Sequence, residues 1–146
     1  IATRGHDIEV EDTATAIVKF RNHALGGIYG STASFPGQFR RIEITGTKGT
    51  AIMVENAFTV WQFADQTEED MKILKSFKEI EGGGGVSDPA AITYQSHQKN
   101  IEAFISSVDA GRPFEISGDE ARKAVEIILA IYESAKEGKQ IHLKHD

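Results

Sequence analysis

Two closely spaced chain reversals within Arg40 to Trp61 (RRIEITGTKGTAIMVENAFTVW) leave this stretch little alternative to antiparallel strands. Ile42 and Ile44 alternate with charged or polar neighbours, as on a half-buried strand, and Thr45-Gly46-Thr47-Lys48-Gly49 makes a glycine-punctuated turn. Ala51 to Val54 resumes a strand, and Glu55-Asn56 turns it again. A meander of hairpins is expected.

Upstream, Thr13 to Phe20 is rich in β-branched residues and sets Ala14, Ala16, Val18 and Phe20 on one face, opposite Thr13, Thr15, Ile17 and Lys19. Arg21-Asn22-His23 turns the chain. Ala24 to Phe35 returns as a long strand with Gly26, Gly27, Gly30, Ser31 and Ala33, small residues that suit a close approach by other backbone, ligand or subunit. Pro36-Gly37 ends it. Together these strands predict a sheet of about five, and residues 71–80 (MKILKSFKEI) offer another.

Gly82 to Gly85 interrupts the chain, and its composition then shifts to helix formers. Ser87-Asp88-Pro89 reads as a helix start, since proline's missing N–H costs nothing in the first turn. Tyr94, His97, Ile101, Phe104, Ile105 and Val108 recur at helical spacing up to Gly111. Ser117-x-x-Glu120 is a capping box opening a second helix, with Ala121, Ala124, Val125, Ile128, Ile131, Tyr132 and Ala135 on its apolar side before Gly138. Ile141 to Leu143 offers a last short strand.

Strands first and helices afterwards predict an α+β fold: an open, mainly antiparallel β-sheet with two C-terminal helices packed on one face. Two amphipathic helices cannot cover both faces. The opposite face carries Ile, Phe, Val or Trp on several strands, so it is expected to meet a partner subunit or another domain.

At 146 residues, 40% hydrophobic and 26% charged, the chain has the length and balance of one globular domain. Its net charge of −6 provides no basic stripe for nucleic acid. Without cysteine it can build neither disulfides nor a thiolate metal site, which is compatible with a reducing cytoplasm. No apolar run approaches the roughly 18 residues that span a bilayer, and no signal-peptide pattern opens the chain. Ile1 stands first and no methionine precedes Met53, as expected of a piece of something longer.

The Arg41 to Thr50 segment resembles the "R-I-E-I-x-G-T-x-G-T" strand-turn-strand of the C-terminal domain in the glucose-fructose oxidoreductase, inositol dehydrogenase and rhizopine catabolism (Gfo/Idh/MocA) family. Glu11-Asp12-Thr13-Ala14 with Ile17 to Phe20 is similar to that domain's "E-D-T-A" opening strand, and Ala24 to Ala33 to its return strand. His23 stands where the family usually has glycine, so this residue must accept positive φ or the turn must differ. Ser87-Asp88-Pro89, the helix with His97, and Arg122 to Lys139 resemble the domain's end.

This resemblance implies that residues 1–146 are a single domain, the C-terminal part of a longer NAD- or NADP-dependent dehydrogenase acting on a sugar or cyclitol. The family's Rossmann domain, glycine-rich phosphate loop, Glu-Lys-Pro turn and Asp-x-x-x-His helix have no counterpart here. Gly82 to Gly85 is not G-x-G-x-x-G, because Ser87 takes the sixth position. No cofactor is therefore expected on this chain alone, which would serve substrate binding and homo-oligomerisation through its open sheet face. The alternative is a free-standing, non-enzymatic ligand-binding or dimerisation module.

His97 lies at the edge of its helix's apolar stripe, where a histidine either packs half-buried against a strand or faces a ligand. The resemblance assigns it to the substrate's hydroxyls. Phe35, Gln38 and Arg40 surround Pro36-Gly37, a loop that the resemblance places in the wall of the sugar pocket; the other reading is a solvated bend with a packed Phe35. An aromatic face with an amide and a guanidinium suits a polyol. His142-x-x-His145 would put its rings on opposite faces of a strand, so no metal site is expected. Glu9, Glu11 and Asp12 read as a solvated loop and strand entry, Trp61 with Phe63 as sheet packing, and Ser31 and Ser34 lack a histidine partner for nucleophilic chemistry.

Overall fold

The structure, a computed structural model, describes residues 1–3, 5–78 and 94–143. Its elements run β1 (Thr13–Lys19), β2 (Leu25–Ser31), β3 (Arg41–Gly46), β4 (Gly49–Val54), β5 (Ala57–Phe63), α1 (Glu68–Lys78), α2 (Gln95–Asp109) and α3 (Gly118–Glu137). Antiparallel strands precede the helices, the α+β class that the sequence implies. The chain forms two compact units, one of Ile1–Ser34 with Gln95–Asp146 and one of Phe35–Tyr94. Instead of one sheet of about five strands, the described residues form a two-stranded sheet, β1-β2, and a three-stranded sheet, β3-β4-β5. The return strand also stops earlier than expected. Ser31 turns its hydroxyl back to accept from the Ala33 N–H (3.1 Å), a side-chain turn that competes with continued pairing.

In the first unit, β1 and β2 pair from Thr13↔Ser31 to Lys19↔Leu25. Ala14, Ala16 and Val18 are half-buried while Thr15, Ile17 and Lys19 are exposed, the alternation expected of this strand. His23 takes φ 68°, the first of the two options its replacement of glycine leaves open. The turn is held by Phe20 N–H to Ala24 O (2.9 Å) and Ala24 N–H to Asn22 Oδ1 (3.1 Å).

Both long helices end where glycine marks the end. At Gly111 (φ 61°) the N–H bonds Val108 O, and the Arg112 N–H bonds Ser107 O, the double closure of a Schellman motif. α3 begins with Ser117 Oγ accepting from the Glu120 N–H (3.2 Å) and closes at Gly138. The Glu120 carboxylate pairs with Lys123 instead of completing the box (2.6 Å). Phe104 meets Phe114 edge-on at 5.5 Å. The proposed helix start at Ser87-Asp88-Pro89 and the break at Gly82 to Gly85 lie outside the described residues. Ile141 to Leu143 is irregular instead of a strand.

In the second unit, Thr47-Lys48 link β3 to β4, and Glu55-Asn56 link β4 to β5, as the sequence predicts. A register shift leaves Thr59 without a ladder partner, pairing Ile52 with Val60 but Met53 with Phe58. This puts Phe58 on the same face as Trp61 and Phe63, with ring centroids 4.6 Å and 5.1 Å from Trp61, both edge-on. Glycine is needed opposite Phe63, because a Cβ on Gly49 would run into that ring and the Gln62 carbonyl. Ile52 is buried.

Residues 71–78 belong to a helix, not to the further strand that 71–80 offered, and α1 packs on β5. The cause lies just upstream. Thr67 Oγ1 accepts from the Asp70 N–H, and the Asp70 carboxylate accepts from the Thr67 N–H (2.7 Å), a reciprocal cap. Asp70 also accepts from the Trp61 indole N–H (2.9 Å), joining α1 to β5. The Thr67 hydroxyl first, then Trp61, holds the Asp70 carboxyl below its ordinary range.

Candidate functional site

The four residues expected to line a pocket fall in both units. His97 stands on the exposed first turn of α2, in the first unit. Phe35, Gln38 and Arg40 occupy the loop into β3, in the second. Phe35 is 99% exposed, so its ring is presented to solvent and not packed beneath the bend. Phe39, four residues on, is exposed as well. Gln38 is also exposed.

Arg40 is tied to its own hairpin. Its N–H donates to Glu55 Oε1 (2.8 Å) and its carbonyl accepts from the Glu55 N–H (2.8 Å). Its Nη2 donates to Glu55 O and Asn56 Oδ1, each at 2.9 Å. Glu55 itself takes φ 53°, an uncommon conformation for a non-glycine residue. The guanidinium thus bonds the turn that closes β4 onto β5.

Asp12 corrects the sequence reading. It is 3% exposed, not a solvated strand entry. Its Oδ2 accepts from the N–H groups of Gly5 (2.6 Å) and His6 (3.1 Å), and its Oδ1 from Thr13 Oγ1 (3.0 Å). His6 Nδ1 lies 3.6 Å from the carboxylate. These bonds fold the N-terminal segment over the start of β1, where Ala2 pairs with Thr13.

Next to it, Glu11 accepts a hydrogen bond from the Tyr132 hydroxyl of α3. That bond holds the Glu11 carboxyl below, and the Tyr132 phenol above, its ordinary value. A lowered carboxyl pKa stabilises the fold above the ordinary carboxylate range and loses that contribution as pH falls through the folded value. A raised phenol pKa contributes below its ordinary value and is lost as pH rises through the folded one. Tyr132→Phe is therefore expected to flatten the dependence of the thermal midpoint on pH at the acid end. Melting followed by circular dichroism at stepped pH measures this, and equal slopes for both proteins would contradict it.

Tyr29 Oη lies 3.2 Å from Ser34 Oγ, and Ser31 Oγ lies 2.9 Å from Thr13 Oγ1, the hydroxyl that bonds Asp12. Among the described residues no three His, Asp or Glu side chains are grouped to hold a metal ion. No described helix is long and apolar enough to cross a membrane.

The described residues hold no Rossmann-type pyrophosphate cradle. Both sheets are antiparallel, and β5, the one described strand that leads directly into a helix, does so through Ala64-Asp65-Gln66-Thr67, without glycine. A pyrophosphate cradle needs a glycine-rich turn between a parallel strand and a helix N-terminus.

Antiparallel strands followed by helices define an α+β domain. Residues 3–143 match the oxidoreductase family C-terminal alpha/beta domain of the Gfo/Idh/MocA enzymes, and the chain belongs to that family. Over 133 residues, 91% of the chain, it is 26% identical to the myo-inositol 2-dehydrogenase of Thermotoga maritima. The match covers 36% of that relative, so the chain spans little more than a third of its length. No solved structure matches the chain with significance.

Proposed function

We propose that this chain is the substrate-binding and oligomerisation domain of an NAD- or NADP-dependent oxidoreductase acting on a sugar or cyclitol hydroxyl. The observation that carries this reading is the family match over residues 3–143; the likeness to a myo-inositol 2-dehydrogenase supports a polyol substrate. When bound, the nicotinamide cofactor would supply the hydride chemistry from a nucleotide-binding domain beyond these residues. His97 in the first unit, and Phe35, Gln38 and Arg40 in the second, would each serve polyol binding. Phe35 would offer its ring to the C–H face, and His97 and Gln38 would orient the hydroxyls.

Copies of the protein would associate through the open sheet face, in the cytoplasm. Exposed Ile17, Leu25 and Tyr29 on one face of the β1–β2 hairpin support such an association, since contiguous apolar surface favours burial.

The test is reduction of NAD+ or NADP+, followed at 340 nm, by the full-length protein with a panel of cyclitols and aldoses. Turnover of at least one polyol is expected. Failure with every polyol and both cofactors would sink the proposal in favour of a binding module.

A further inference from the structure

We infer that Arg40 is a positioning residue: it sets the Phe35–Phe39 loop by clamping the Glu55-Asn56 turn, and does not itself touch the polyol. This deepens the functional reading above and rests on it. Arg40 is the last residue of the loop before β3, so fixing it fixes the loop's end. Backbone and side chain are fixed together. Two of its bonds join its backbone to Glu55, and two more run from Nη2 to Glu55 O and Asn56 Oδ1.

The turn being clamped contains Glu55 at φ 53°, a conformation that a non-glycine residue holds only against some strain. Hydrogen bonds from a planar, always-charged guanidinium to two acceptors on that turn suit this task. What the loop then presents outward is aromatic and amide surface, Phe35, Gln38 and Phe39. Such surface recognises neutral polyols by stacking and hydrogen bonding without a counter-ion.

The experiment is a double-mutant cycle on the full-length enzyme, using Arg40→Ala, Asn56→Ala and the double variant. KM and kcat are read for a neutral polyol and for an anionic analogue, a phosphorylated cyclitol or a uronate. Asn56→Ala leaves the guanidinium in place but removes one of its acceptors. Each single change is expected to raise KM for the neutral polyol about threefold to tenfold, with kcat less affected. The double variant is expected to match the worse single, and Arg40→Lys to restore part of the loss.

Additive KM effects, or a loss under Arg40→Ala several-fold greater for the anionic analogue, would show a guanidinium that contacts substrate and would overturn the inference. Absence of turnover with any polyol by the unmodified enzyme would remove the functional reading beneath it. That outcome is distinct from a failed cycle in an active enzyme.

Discussion

Trp61→Ala is expected to destabilise the unit of residues 35–94 by about 2–4 kcal/mol, somewhat below the roughly 3–5 typical of fully buried large aromatics. Trp61 retains part of its surface in water, which sets the discount. The loss has three sources: the apolar area of the ring, its edge-on contacts with Phe58 and Phe63, and the indole hydrogen bond to Asp70 that ties α1 to β5. Trp61→Phe keeps most of the ring but deletes the N–H donor, so it should lie between the wild type and alanine. Urea unfolding followed by far-UV circular dichroism measures both, because the change removes the chain's one tryptophan and with it the indole fluorescence. An alanine variant within about 0.5 kcal/mol of the wild type, as for an ordinary surface substitution, would contradict the packing described.

Asp12→Ala should cost the first unit about 2–3 kcal/mol. The buried carboxylate satisfies the Gly5 and His6 N–H groups and the Thr13 hydroxyl. Leaving such donors unpaired costs about 1–3 kcal/mol where they stay buried. Gly5 and His6 are exposed enough to recruit water, which keeps the total below the sum. Asp12→Asn retains an acceptor oxygen and should lose less. Hydrogen exchange adds a local readout, with Gly5 and His6 amides losing protection in the alanine variant before those of β1. Unchanged protection at both amides would mean that the carboxylate does not organise the segment.

What could be read from sequence was what the chain decides locally. Ser117, three residues before Glu120, and Gly138 bracket α3 because a cap needs only a few neighbouring atoms. The two turns between Arg40 and Trp61 were legible for the same reason. His23 showed that a departure from glycine can be read as a statement about φ.

Residues 71–80 misled because Met71, Ile73 and Phe77 alternate like a strand, while Leu74 follows Ile73 as a helix face requires. The Thr67-x-x-Asp70 cap that decides between them uses aspartate in place of the usual glutamate. Asp12 reads as solvated because nothing in its immediate sequence announces that Gly5 and His6 fold back on it. Glu11 and Tyr132 are separated by 121 positions, so their bond was invisible to any local pattern. The guanidinium of Arg40 marks it in the sequence, but its bonds run to a turn fifteen residues on.

The most direct measurement is the pair of Michaelis constants in His97→Ala, taken on the full-length protein with polyol and nicotinamide cofactor varied separately. If these residues form the polyol side and leave the nucleotide to another domain, KM for the polyol rises about tenfold, as for a lost hydrogen bond or two, while KM for the cofactor stays within about twofold. A variant whose cofactor constant shifts while its polyol constant holds would contradict that division of labour.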